Sequence, residues 1–120
     1  MVRTIPADDP QRPVVALVTH PPDGASALAE RLVAERLAAC VNLVPSIRSV
    51  YRWHGEVATD EEHLLIVKTT RDRLEEIGRL LAAEHPYEVP ELVVVPVVAG
   101  SESYLEWLAA ASRAERSPLG

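Results

Sequence analysis

Four histidines, one thiol and a few carboxylates are the side chains with which this sequence can ligate a metal or move a proton. They are His20, His54, His63 and His85, Cys40, and the acids Glu61, Glu62, Glu88 and Glu91. Their spacing matches no single-chain metal site: there is no Cys-x-x-Cys, no His-Glu-x-x-His and no acidic loop with calcium spacing. His85 stands out. It closes a helical pattern before Pro86, between Glu84 and Glu88, where its imidazole can face a cleft or another chain. The competing expectation for any such histidine is hydrogen-bonded packing. His63 follows Glu61-Glu62 in an extended run and shares a strand face with Glu61 and Leu65, as in a solvated strand entry. Cys40 follows Ala38-Ala39 with no neighbouring lysine or helix N-terminus to lower its pKa, as expected of a small buried hydrophobe rather than a nucleophile.

Tyr51 and Trp53 are two apart and share one face of an extended arm, with Val50, Arg52 and His54 on the other. Aromatics beside arginine suit a subunit contact, with a ligand platform as the alternative. Lys68, near the end of an apolar strand, either meets an anionic ligand or snorkels to water. Enzyme templates do not fit. No glycine-rich phosphate loop and no Ser-His-Asp order is present, so a non-enzymatic protein is expected. The formal charge of −6 disfavours nucleic acid and anionic membranes as partners, which are held by excess Lys and Arg, and leaves metal cations compatible. Val14–Thr19 and Leu64–Thr70 also lack the aromatics of an RNA-binding sheet.

The elements that position these residues follow from periodicity. A chain of 120 residues, nearly half apolar and without a run long enough for direct membrane insertion, is expected to form one domain over residues 13–113. A disordered N-terminal arm is expected over residues 1–12 and a frayed tail over 114–120. With no apolar stretch after Arg3 and a lone cysteine, a cytoplasmic location is expected. Val14–Thr19 reads as a buried strand, and Asp23 as the cap of a helix with Ala25, Leu28, Ala29, Leu32, Val33 and Leu37 inward. Cys40–Thr70 reads as one long hairpin turning at Gly55-Glu56 in a type II′ turn. Thr70 is expected to cap a second helix, Arg71 to Glu84, which Pro86 ends. Tyr87–Pro90 is irregular, Glu91–Val98 a fourth strand, and Glu102 to about Arg113 a last helix with Ser103 and Glu106 as a capping box.

The order βαββαβ with an added C-terminal helix is an α+β, ferredoxin-like arrangement: an antiparallel sheet with a long overhanging hairpin between its second and third strands. Pro45 and Pro96 fall in the second and fourth strands, the two edges of such a sheet, where proline is tolerated. Hairpin arms of about fourteen residues reach roughly 45 Å, beyond the roughly 33 Å diameter of a compact domain of about 100 residues. The tip must lie on something, and long apolar edges also ask for cover, so a ring of like chains is expected, a trimer being the smallest.

Five ordered stretches then match a family. Leu37-Ala38-Ala39-Cys40-Val41-Asn42, Val50-Tyr51-Arg52-Trp53-His54-Gly55, Lys68-Thr69, His85-Pro86-Tyr87-Glu88-Val89-Pro90-Glu91 and Tyr104-Leu105-Glu106-Trp107 resemble the CutA divalent-cation-tolerance proteins. The resemblance implies a tight homotrimer, PII-like in architecture, with the hairpin exchanged between subunits. It also implies a link to copper and other divalent metals without an obligatory cofactor. Family members credited with copper binding look to a cysteine near the end of the first strand and a histidine pair before Pro-Tyr. Val18 and Glu84-His85 stand there, so His85 is the matching metal ligand. Lys68, Tyr51, Trp53, His85 and Tyr87 are the implied walls of a pocket between subunits. The expected function is a cytosolic divalent-cation-tolerance trimer binding metal weakly through His85 and nearby carboxylates. The alternative is a PII-like regulatory module taking a small anionic ligand near Lys68, and a third reading is a structural trimer that scaffolds a membrane or protein partner.

Overall fold

The structure, a computed structural model, describes residues 1–114. Apart from Ala114, the tail expected over 114–120 lies outside the described residues. Strands β1 (Val2–Thr4), β2 (Pro13–His20), β3 (Cys40–Trp53), β4 (Glu56–Thr70), β5 (Val93–Pro96) and β6 (Ala99–Ser101) accompany helices α1 (Ala25–Ala34), α2 (Leu74–Glu84) and α3 (Glu102–Ala111). The main sheet is antiparallel in the order β3-β4-β2-β5, so β3 and β5 are the edges, as the ferredoxin-like reading expects. The prolines obey the same logic: Pro45 and Pro96 lie on those edges, and Pro13 is the first residue of β2.

The apolar residues of β2 and β4 alternate, and each set finds its cover. Ala16 and Val18 of β2 with Leu65 and Val67 of β4 face α1 and α2, burying Leu32, Leu37, Ile77 and Leu81 in one core. Each fully buried Leu or Ile contributes about 1.5–3 kcal/mol. On the second face α3 packs against β4 and β2 through Leu105 and Leu108 and covers one end. The other end stays open.

Several local expectations change. The arm over 1–12 is not disordered throughout: Val2–Thr4 pairs antiparallel with Ala99–Ser101, and the Met1 carbonyl accepts the first N–H of α3 from Glu102 at 2.8 Å. This pairing is main-chain, with Val2, Arg3 and Thr4 exposed, so side-chain periodicity carries no trace of it. Helix α1 starts at Gly24, in the left-handed region at φ 89°, with no side-chain cap from Asp23. Thr70 bonds Asp72 rather than a helix N–H, and a short 3₁₀ turn, Arg71–Arg73, precedes α2. Ser101, not Ser103, stands at the start of α3 without a side-chain cap. The fourth strand is shorter than Glu91–Val98, being limited to the four residues that pair with β2.

The hairpin is as long as expected, with arms of 14 and 15 residues, and it stretches the molecule to 48 × 35 × 23 Å. Its turn is centred on His54 and Gly55, both at positive φ (49° and 79°), which is type I′ rather than II′. Trp53 therefore pairs with Glu56. Between Val44 and Ile47 the register slips by one residue at Pro45-Ser46, a bulge with Ser46 at φ 58°. The Ser46 N–H freed there donates to His63 Nδ1 at 3.1 Å, which gives this histidine a structural task.

Candidate functional site

The bulge decides which way the tip of β3 faces. Before it, Leu43 opposes Leu65 on the helix-covered face; after it, Ile47 opposes Glu62, Ser49 opposes Asp60 and Tyr51 opposes Ala58. The extra residue turns the odd-numbered side chains of β3 to the open face of the sheet, because strand side chains alternate with period two. Tyr51 and Trp53 thus come to the side that holds Glu62.

There a cavity of about 610 Å³ opens between the hairpin and the loop that follows α2. Thr19, Ser49 and Glu62 line it from the sheet, Tyr51 and Trp53 from the hairpin, and Tyr87 from the loop. Glu88 and Glu91 border it on the loop side. Glu62 is 4 % exposed and has no cationic partner among the described residues. The Tyr87 phenol is pushed up to about 12, first by partial burial and then by the hydrogen-bond pull and negative charge of Glu62. The Tyr51 hydroxyl donates to the Asp60 carboxylate, and that bond is the main cause of its own raised pKa.

Tyr87 owes its place to His85. Pro86 pushes His85 into the extended region (ψ 138°), which ends α2. The imidazole, 9 % exposed, donates from Nε2 to the Thr19 carbonyl at 2.8 Å and accepts the Tyr87 N–H at Nδ1 at 3.0 Å. Its ring lies 4.8 Å from that of His20 and 4.9 Å from that of Tyr87, centre to centre. Both nitrogens are therefore in use in a neutral tautomer, and a metal reaches either one only by opening a hydrogen bond. Glu84 turns elsewhere, to Arg31 at 3.2 Å, beside a second cavity of about 300 Å³ next to His20. Among the described residues no three His, Cys, Asp or Glu side chains converge on a point where a metal ion would sit.

Of the residues expected to wall a pocket, Tyr51, Trp53 and Tyr87 come together and His85 stands behind them. Lys68 does not join them. It pairs with Val15 and Cys40 on the same strand as Glu62, about 20 Å away at a strand rise of roughly 3.3 Å per residue. Its Nζ lies 6.0 Å from the centre of the Tyr104 ring of α3. No lysine or arginine lines the cavity among the described residues, so its charge is opposite to what an anion needs. Cys40, half-buried, has its thiol 4.0 Å from the Asn42 side chain. Sequence reasoning named Glu62 among the acids but gave it no place. The signal was strand parity, which sets Glu62 on the face opposite His63.

The fold and this site define a class: a small ferredoxin-like domain with an overhanging hairpin and a ligand-sized cavity at its base. The family model for the CutA1 divalent ion tolerance protein matches residues 14–111, and the chain belongs to that family. The divalent-cation tolerance protein CutA of Thermus thermophilus is 50% identical over 95 residues, 78% of this chain and 92% of that protein. The solved structure of the divalent cation tolerance protein Cut A1 from the same organism superimposes with a TM-score of 0.82 at 46% identity, covering 84% of this chain and 99% of that one. That of the PII-like protein CutA from Nostoc sp. PCC 7120 gives 0.78 at 32% identity, covering 85% and 99%.

Proposed function

We propose that this chain serves divalent-cation tolerance as a cytoplasmic, non-catalytic homotrimer of PII-like type, and that the cavity under the hairpin is its regulatory ligand site. The observation that carries this reading is Glu62, a carboxylate withdrawn from water at the wall of a cavity whose other walls are Tyr51, Trp53 and Tyr87. A cavity of about 610 Å³ lies within the usual range of about 300–1,000 Å³ for small-molecule sites. Assembly is supported by the edge strand β5, where Val93, Val94 and Val95 are all exposed, and by the hairpin overhang. Copper or another divalent cation is met weakly on this reading, since His85 binds it only at the expense of the bond to Tyr87 or Thr19.

A thermal-shift screen of nucleotides, carboxylates, sugars and amines tests the regulatory site. A shift that Trp53→Leu abolishes supports it, and a screen silent for every compound overturns it. Titration calorimetry with copper on the wild type and His85→Ala tests the metal path; equal heats remove His85 from it. Sedimentation equilibrium is expected to return three chains per particle.

A further inference from the structure

We infer that the cavity takes a small protonated amine, an organic ammonium ion held by Glu62 and caged by the aromatic rings around it. This rests on the reading of the cavity as a ligand site and names the chemistry of its occupant. Charge gives the sign. Glu62 is 4 % exposed, Glu88 and Glu91 border the opening, and no basic side chain lines it among the described residues. A buried carboxylate without a cationic partner is costly, and the cost is offset by a cation that brings its own N–H donors. Glu62 lines the cavity, and an ionised carboxylate has about four acceptor positions, more than the Tyr87 hydroxyl beside it can fill.

The rings give the second requirement. Tyr51, Trp53 and Tyr87 present aromatic surface to the same space, and an ammonium within about 6 Å of such a face is attracted by the ring quadrupole. Size and donor geometry separate this ligand from a bare metal. Calcium asks for six to eight oxygens and magnesium for a near-ideal octahedron. No three acidic, histidine or cysteine side chains converge among the described residues, and about 610 Å³ is far more room than an ion fills. A primary ammonium on an alkyl chain uses both features: its N–H groups meet the carboxylate and its methylenes lie along the rings.

Calorimetric titration of the full chain with putrescine, 1,4-butanediol and succinate tests this directly. The three share a four-carbon chain and differ in terminal charge. The expected result is saturable binding of putrescine alone, weakened on the order of tenfold or more by Glu62→Gln, which keeps shape and removes the charge. Should that variant fail to fold, Trp53→Leu, at a half-exposed position, is expected to weaken putrescine several-fold. Putrescine binding unchanged in both variants would place it elsewhere and overturn the inference. So would binding of succinate or butanediol in its stead, an outcome that keeps the cavity as a ligand site. Silence of all three removes the amine, and the regulatory reading then stands or falls on the broader thermal-shift screen.

Discussion

The Nε2–H of His85 reaches the carbonyl oxygen of Thr19 across 66 positions of sequence, 2.8 Å away, and joins the end of α2 to the end of β2. Because Nδ1 accepts the Tyr87 N–H, the same ring also sets the path of the loop that walls the cavity. His85→Ala removes a buried donor and acceptor at once and leaves the Tyr87 amide without its partner. A loss of about 2–4 kcal/mol is expected in urea unfolding. Nitrogen-15 spectra of the imidazole are expected to show the Nε2–H tautomer.

Tyr87 and Glu62 make a pH-dependent pair. The phenol is raised from its ordinary value near 10 to about 12, so the folded chain holds this proton where the unfolded chain releases it. The stabilisation is therefore complete below about pH 10 and is lost as pH rises toward about 12. Carbon-13 spectra of the tyrosine ring are expected to place the Tyr87 transition well above 10, and Glu62→Gln to bring it down by removing the negative charge. An unmoved transition in that variant would show that Glu62 plays no part.

The left-handed residues offer a paired test. Ser46 holds φ 58° in an exposed bulge, where glycine sits without strain, so Ser46→Gly is expected to raise stability by about 0.5–1 kcal/mol. Arg36 holds the same φ, but its N–H and that of Leu37 close α1 on Val33 and Leu32, and its guanidinium caps α3 at the carbonyls of Ala110 (3.1 Å) and Arg113 (2.8 Å). Arg36→Gly relieves the strain and loses the cap, so its thermal midpoint is expected to stay level or fall, in contrast to Ser46→Gly.

Deleting Ser46 would restore the uninterrupted ladder and send Tyr51 and Trp53 to the opposite face. The expected outcome is a folded protein with red-shifted Trp53 fluorescence and no response to any ligand that shifts the wild type.

Strand β5 carries the assembly test. Val95→Lys puts a charge on an exposed apolar edge, a device by which natural edges avoid pairing. The proposed trimer is expected to dissociate in sedimentation, with little change in the far-ultraviolet spectrum.

Much of the fold was written in local pattern. Periodicity marked the three helices and the four strands of the main sheet, the two edge prolines chose the rim strands, and arm length alone announced the overhang. Tyr51 and Trp53 were legible as a pair for the same reason, since aromatics two apart share a face whatever the pairing, and Tyr87 joined them only through the family resemblance. Pro45 marked an edge, but which face the tip would take depends on the pairing partner, and a slip of one residue reverses it. Only the tertiary structure turned Tyr51 and Trp53 to the face of Glu62, with Lys68 on that same face about 20 Å further along the strand. Only it spent both nitrogens of His85, because their partners come from a strand 66 residues distant and from a loop the proline bends back. Local periodicity determines which elements form; long-range closure decides which side chains meet.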